Sequence, residues 1–192
     1  KSLFQWPSLL RVGEEARHLI YRSQQADGRA ERTTNYSSPK RYLWDAKPFK
    51  DRWEFMVIDG DATNQEVNQQ IFIEGFTDHF DDDGTYLPEG KQIDIFNLQE
   101  SDGSCHYSRQ SLMTFVFIEM LQQALCYVNS SEFRGKHMQT DCRRYLRNII
   151  VTCPTAMPMK EQLALRRAAK AAADLIHQFT PAQPEMTITP DP

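Results

Sequence analysis

Arg147-Asn148-Ile149-Ile150-Val151-Thr152-Cys153-Pro154 is the stretch on which the fold turns. Ile149, Ile150, Val151 and Thr152 are β-branched, and crowding at Cβ favours extended backbone over helix. The run is apolar without alternation, the pattern of a strand covered on both faces. Pro154 ends it, because proline has no N–H to give to a ladder. Past Met157 the period changes. Pro158 suits a first helical position, Glu161 complements the positive end of the helix dipole, and the next turns are mostly Ala, Leu, Arg and Lys, all strong helix formers. The spacing predicts a buried strand over 148–153, a short loop, and a helix over 160–176 packed on the strand's sheet. Such a unit belongs to an α/β sheet, whose functional loops sit at the carboxyl ends of strands. Residues 179–192 hold four prolines and read as a loop-like, Pro-rich tail.

Upstream, 108–128 carries Leu112, Phe115, Val116, Glu119, Met120, Gln123, Ala124 and Tyr127, which predicts a long, largely apolar helix with Ser108 as its N-cap. Around Trp53 the period is two: Trp53, Phe55 and Val57 alternate with Glu54 and Met56, up to the turn at Asp59-Gly60. Residues 70–74 and 92–96 are further strand candidates, separated by the turn Asp81-Asp82-Asp83-Gly84, so 53–97 is expected to be a small antiparallel, β-rich region. Near the start, 9–12 reads as a short strand stopped at Gly13. It is followed by a helix opened by Glu14 and Glu15, with Ala16, Leu19, Ile20 and Ser23 on one face. Residues 27–39 are turn-rich, and 40–44 read as a short packed helix or turn. The fold class is α/β, as an α+β fragment. Residues 1–147 form a small or insertion subdomain (β-rich over 53–97, helix over 108–128), 148–178 the strand–loop–helix unit, and 179–192 the tail.

Of the 192 residues, 40% are hydrophobic and 25% charged, ordinary for a globular chain and unlike a disordered or collagenous one. The 22 Lys+Arg against 26 Asp+Glu leave a net charge of −4, so no global field favours nucleic acid or an anionic membrane. The longest apolar run, 112–121, contains Thr114 and Glu119 and falls short of the roughly 20 residues of a membrane span. Glycine is scarce, at 8 residues, which speaks against a phosphate-cradling Gly loop, and neither GxxxxGK[ST] nor GxGxxG occurs. The four cysteines lack CxxC spacing and read as reduced thiols of a cytoplasmic bacterial protein; secretion as an effector stays open. The chain opens at Lys1 without an initiator Met or a signal peptide and is expected to be a piece of a longer polypeptide.

The order of these pieces resembles the Hsp70-type branch of the actin-like ATPase superfamily. Val12-Gly13-Glu14-Glu15-Ala16 looks like that branch's strand-to-helix step, and Ser38-Pro39-Lys40-Arg41 falls where it has a Lys-Arg pair after a loop. A β-rich subdomain, a long helix, and Ile150-Val151-Thr152-Cys153-Pro154 before an Ala-rich helix continue the order. More narrowly, Val-Thr-Cys-Pro-Thr-Ala-Met-Pro at 151–158 resembles the bacterial SrfB-type virulence-factor family, whose members are much longer. The resemblance implies part of an actin/Hsp70-like lobe with a β-rich insertion subdomain, and ATP with Mg in the full-length protein. It places Lys40 in the nucleotide cleft, where it would help position the attacking water. An ammonium there stabilises charge developing on the transferring phosphoryl group. It makes Pro154 a conformational switch. The family's relay arginine falls on Gln162, which puts chaperone-style coupling in doubt. No Asp-x-Gly-Thr phosphate hairpin opens the chain. Asp82-Asp83-Gly84-Thr85, the near match, reads as an exposed turn. No cofactor is therefore expected in the fragment, which should lack ATPase activity of its own.

Other constellations have plainer readings. Asp78, His79, Asp81, Asp82 and Asp83 could offer oxygens to Ca²⁺, but an EF-hand loop begun at Asp81 would put Gln92 where the bidentate Glu belongs. A solvated hairpin accounts for the cluster. The five histidines show no metal-ligand spacing. Cys105 and His106 adjoin in sequence, whereas nucleophile and base must meet in space. Arg134, Lys136, His137, Arg143, Arg144 and Arg147 could form a local phosphate-binding patch, and the plainer reading is a solvated face and loop offset by Glu132 and Asp141. The alternative to a nucleotide-binding lobe is a non-catalytic module whose β-rich insertion binds a partner protein.

Overall fold

The β-branched run does form a strand, β1 (Asn148–Val151), and its partner is the segment read as tail. β2 (Thr187–Pro190) lies parallel to β1, with Asn148 opposite Thr187, Ile149 opposite Ile188 and Val151 opposite Pro190. The computed structural model describes residues 10, 12–25, 38–48, 79–90, 107–137, 142–180 and 184–190. β1 stops two residues before the expected end, at Val151 opposite Pro190. The tail expectation for 179–192 is corrected. Pro184 and Pro190 bracket the β-branched triplet Thr187-Ile188-Thr189, Met186 is buried as its anchor, and the Thr187 amide donates to the Arg147 carbonyl at 2.7 Å. Burial on both faces is corrected as well. Ile150 is 67% exposed while Val151 is buried; Ile149 and Ile188, on the Val151 side, pack against the core.

The element between the two strands is α4 (Met159–Phe179). Pro158 sits one position before the helix, and its carbonyl accepts from the amides of Glu161 and Gln162. α4 runs three residues beyond the expected 176 and ends where the Phe179 ring meets His79 edge-on, with centroids 4.9 Å apart. Its inner face is almost all alanine: Ala164, Ala168, Ala169, Ala171, Ala172 and Ala173 are buried along with Leu165, Leu175 and Ile176. Small side chains let a neighbouring helix approach closely. That neighbour is α2 (Ser111–Val128).

α2 starts three residues later than expected. Ser108 lies outside it, though its hydroxyl accepts from the Ser111 amide at 3.3 Å, and the Ser111 hydroxyl donates back to the Ser108 carbonyl at 2.7 Å. The first turn is enclosed on every side, burying Ser111, Leu112, Met113, Thr114 and Phe115. Further on the buried stripe is Phe117, Ile118, Leu121 and Leu125. Met120 and Tyr127 face solvent, at 53% and 60% exposed. α2 is long and apolar enough to be compared with a membrane span, but it packs along α4 and its apolar character is that of a core helix.

After α2, Ser130 caps the short α3 (Ser131–Lys136) by accepting from the Phe133 amide. Asn129 then clamps the chain entering β1: its side-chain amide donates to the Arg144 carbonyl at 3.0 Å and its carbonyl oxygen accepts from the Arg144 amide at 2.9 Å. α1 (Gly13–Gln25) forms as expected, with Ala16 and Ile20 half-buried. Leu10 and Val12 are in no strand, and the strand candidates at 53–58, 70–74 and 92–96 lie outside the described residues. The fold is mixed α/β: among the described residues, helices pack with a two-stranded parallel sheet.

Candidate functional site

At the carboxyl end of β1 the chain passes through Thr152 and Cys153 into a turn closed by the Met157 amide on the Pro154 carbonyl at 2.9 Å. Pro154 is exposed there. Gln162, at the position where the resemblance puts an arginine, donates its side-chain amide to the Met157 carbonyl at 2.8 Å. It therefore ties the Pro154 loop down onto the first turn of α4.

Lys40 is carried on a 3-10 turn, Pro39–Tyr42, that follows Ser38 in the left-handed region at φ 56° and ψ 71°. This is an uncommon conformation for a residue with a Cβ. The turn is anchored by the buried Leu43 and fastened to the start of α2. The Gln110 amide donates to the Asp45 carbonyl at 3.0 Å, Arg109 lies 3.6 Å from the Asp45 carboxylate, and the Arg109 guanidinium sits over the Tyr42 ring at 5.3 Å. Lys40 itself is exposed. Lys40 and Pro154 thus belong to segments fastened to the N-terminal ends of two helices that pack along each other.

The Asp-Gly-Thr turn is not the exposed, solvated hairpin of the sequence reading. Phe80 and Tyr86 bridge antiparallel across it, and it docks on α2. Gly84 adopts φ +83°, and a Cβ there would fall 2.8 Å from the Ser111 Cα. The Gly84 carbonyl accepts from the buried Thr114 hydroxyl at 3.1 Å. Within the turn, the Asp83 amide donates to the Asp81 carboxylate at 2.8 Å, and both the amide and the hydroxyl of Thr85 donate to the Asp83 carboxylate. Burial works against the charge on Asp83, but the Thr85 donors, a bond with the Asp81 carboxyl and the nearby Arg167 outweigh it and hold this carboxyl below the usual range. For Asp81, burial dominates, opposed by the bond from the Asp83 amide and reinforced by the charges of Asp83 and Asp82, and its carboxyl lies above the usual range. Among the described residues no three metal-ligating side chains converge; Asp78 lies outside them, as do Cys105 and His106.

The basic string of 134–147 is distributed over different jobs. Lys136 pairs with Glu132, while the guanidinium groups of Arg144 and Arg143 lie over Phe133 and Tyr145 at 5.1 and 5.6 Å. Cationic groups gather instead on α4. Leu163, Arg166, Arg167 and Lys170 form one wall of a cleft of about 480 Å³, and Glu185, Met186, Thr187 and Ile188 form the other. The sequence reading passed over these residues. The signal was present in the i, i+3, i+4, i+7 spacing of the first four, but it meant little until β2 was known to lie beside them.

Residues 1–188 match the family model for virulence factor SrfB. The chain belongs to the SrfB virulence-factor family. The match takes in Lys40, the Pro154 loop, all of α4 and the cleft residues up to Ile188. No curated protein and no solved structure matches this SrfB-family chain.

Proposed function

We propose that this SrfB-family chain is one lobe of an actin- and Hsp70-like nucleotide-binding protein of the bacterial cytoplasm. In this role it presents a surface to ATP and Mg²⁺ without gripping the phosphates itself. The observation that carries the reading is the β1–α4–β2 crossover, a parallel βαβ unit whose strand-end loop bears Pro154. In open α/β sheets, ligands sit outside the carboxyl ends of the strands, and Gln162 holds that loop in place. Lys40, exposed on its anchored turn, supplies a cation suited to a phosphoryl group. The Asp83-Gly84-Thr85 turn is no phosphate grip, because its glycine backbone is pressed against Ser111 and its carbonyl is taken by Thr114. The free thiols of Cys126 and Cys142, both exposed, suit a reducing compartment.

Calorimetric titration with Mg-ATP tests both halves of the proposal. The chain alone is expected to bind more weakly than micromolar and to hydrolyse nothing, whereas a full-length SrfB protein containing it should bind, and lose turnover on Lys40→Ala. Absence of nucleotide binding by the full-length protein overturns the lobe reading. Micromolar binding by the chain alone overturns the missing-grip part. The second reading, a module that binds a partner protein, is favoured by the cationic cleft on α4.

A further inference from the structure

The cleft beside β2 combines backbone groups that are unpaired among the described residues, an apolar floor and a cationic wall. In a parallel ladder, alternate residues direct both N–H and C=O to the same neighbour. The Thr187 amide bonds to the Arg147 carbonyl, so Thr187 and Thr189 address β1, while the N–H and C=O of Ile188 point to the opposite edge. Among the described residues no further strand takes them. Ile188 lines the cleft with Met186, and the half-exposed Leu163 faces them from α4.

Above this floor stand Arg166, Arg167 and Lys170, all exposed. Lys170 also reaches Asp174 on its own helix at 2.8 Å, and Arg167 lies within electrostatic range of Asp83. Glu185 is the one carboxylate in the cleft lining. A chain of net charge −4 thus concentrates three cations along one groove. A volume of about 480 Å³ is within the range that holds a ligand of several residues' bulk.

We propose that this groove takes an extended acidic segment of a partner protein by strand addition. The segment's backbone pairs with Ile188 on the outer edge of β2, its carboxylates meet Arg166, Arg167 and Lys170, and an alternate apolar side chain rests on Leu163 and Met186. Main-chain pairing supplies affinity and the alternating side chains supply selection. The acidic character follows from charge complementarity. The inference stands apart from the nucleotide reading: it concerns the outer edge of β2 and not the strand-end loop, and its test contains no nucleotide.

The probe is a fluorescein-labelled decapeptide of alternating glutamate and valine, followed by anisotropy on the whole chain. Three controls accompany it: the same peptide N-methylated at every second residue, a lysine-for-glutamate version, and the R166E/K170E variant. Both substituted residues are exposed, and circular dichroism verifies the fold of the variant. Binding of the acidic peptide should weaken about tenfold or more on charge reversal and with added salt. The N-methylated and lysine peptides should not bind, and hydrogen exchange at the Ile188 amide should slow only in the complex. Equal binding of the N-methylated peptide, or an Ile188 amide that exchanges at the same rate with peptide bound, would reduce the site to a diffuse cationic face and overturn strand addition. Failure of the acidic peptide to bind would overturn the proposal outright.

Discussion

Two regions beside the α2–α4 pair are built to opposite rules. In one, the hairpin around Gly84 is sealed onto the start of α2. Phe80 and Tyr107 are fully buried and meet the Phe115 ring edge-on at 5.8 and 4.9 Å. Backbone bonds from Leu87 to His79, Asp81 to Thr85 and Ser108 to Asp82 leave little unspent. In the other, β1 and β2 share a four-residue ladder and leave Ile150 in solvent. Two parallel strands with one bare face are unusual, because parallel sheets are normally covered on both sides. The hairpin spends its bonds within the fold. Among the described residues the β1–β2 pair keeps an unpaired outer edge, and the two regions meet at Arg167, which lines the cationic cleft and also lies near Asp83.

The largest effect expected from this contrast is at the aromatic cluster. Phe115→Ala removes the ring that two other rings abut and should cost about 3–5 kcal/mol in urea unfolding. Ile150→Ala, also a large-to-small change at a β-branched or aromatic position, should cost no more than about 0.5 kcal/mol, because its side chain is already in water. A comparable cost at both positions would mean that the bare face of the sheet is covered in solution, and the contrast would disappear.

Gly84→Ala comes next. The new methyl would have to occupy space 2.8 Å from the Ser111 Cα on a backbone at φ +83°. The contact is with helix backbone, which cannot swing aside. Overpacking and the left-handed conformation together should cost about 3 kcal/mol. Gly13→Ala is the matched control, since Gly13 also has positive φ (+63°) but open space around it. It should lose only the conformational part, about 1 kcal/mol. If the two variants unfold at the same denaturant concentration, the hairpin is not docked as described.

How much of this could be read from the chain follows the range of each interaction. β1 and α4 were legible because β-branching at Ile149 to Thr152 and the run of helix formers after Pro158 act locally. β2 was hidden because four prolines dominate the composition of 179–192, whereas two of them merely bracket a triplet of β-branched residues. The turn at Asp83-Gly84 was visible, but its burial was not: it depends on Ser111 and on Thr114, 30 residues away in sequence. The facing of α2 was not legible for a related reason: its first turn is enclosed on all sides, so hydrophobic spacing there carries no direction. The cleft needed both: a helical stripe that spacing could show, and a strand beside it that spacing could not. Lys40 and Pro154 came from family resemblance alone; their loops are defined in the structure, and their chemistry remains for the nucleotide experiment to test.

The smallest effect sharpens the sealed hairpin by sign more than by size. Asp81 and Asp83 sit two residues apart in one turn and are pushed in opposite directions. Although burial disfavours its charge, Asp83 is ionised more readily in the folded chain than in the unfolded one, because the Thr85 donors and Arg167 hold it. Its contribution is therefore complete above the ordinary carboxylate range and is lost as pH falls through the lowered folded value. Asp81, with burial as the leading cause, binds its proton more tightly when folded. It costs stability at neutral pH, and that cost vanishes as pH falls through the raised folded value toward the ordinary one. D83N should then destabilise at pH 7 by about 1 kcal/mol, through loss of charge-assisted bonds, and should show a flatter acid limb than the parent. D81N keeps an acceptor for the Asp83 amide and loses the unfavourable charge, so at pH 7 it should match or slightly exceed the parent, with the difference closing as the solution is acidified. Urea midpoints measured from pH 7 down to pH 3 decide it. Two variants destabilised to the same degree and with the same pH profile would show that the turn responds only to the loss of negative charge, and not to the separate bonds each carboxylate makes.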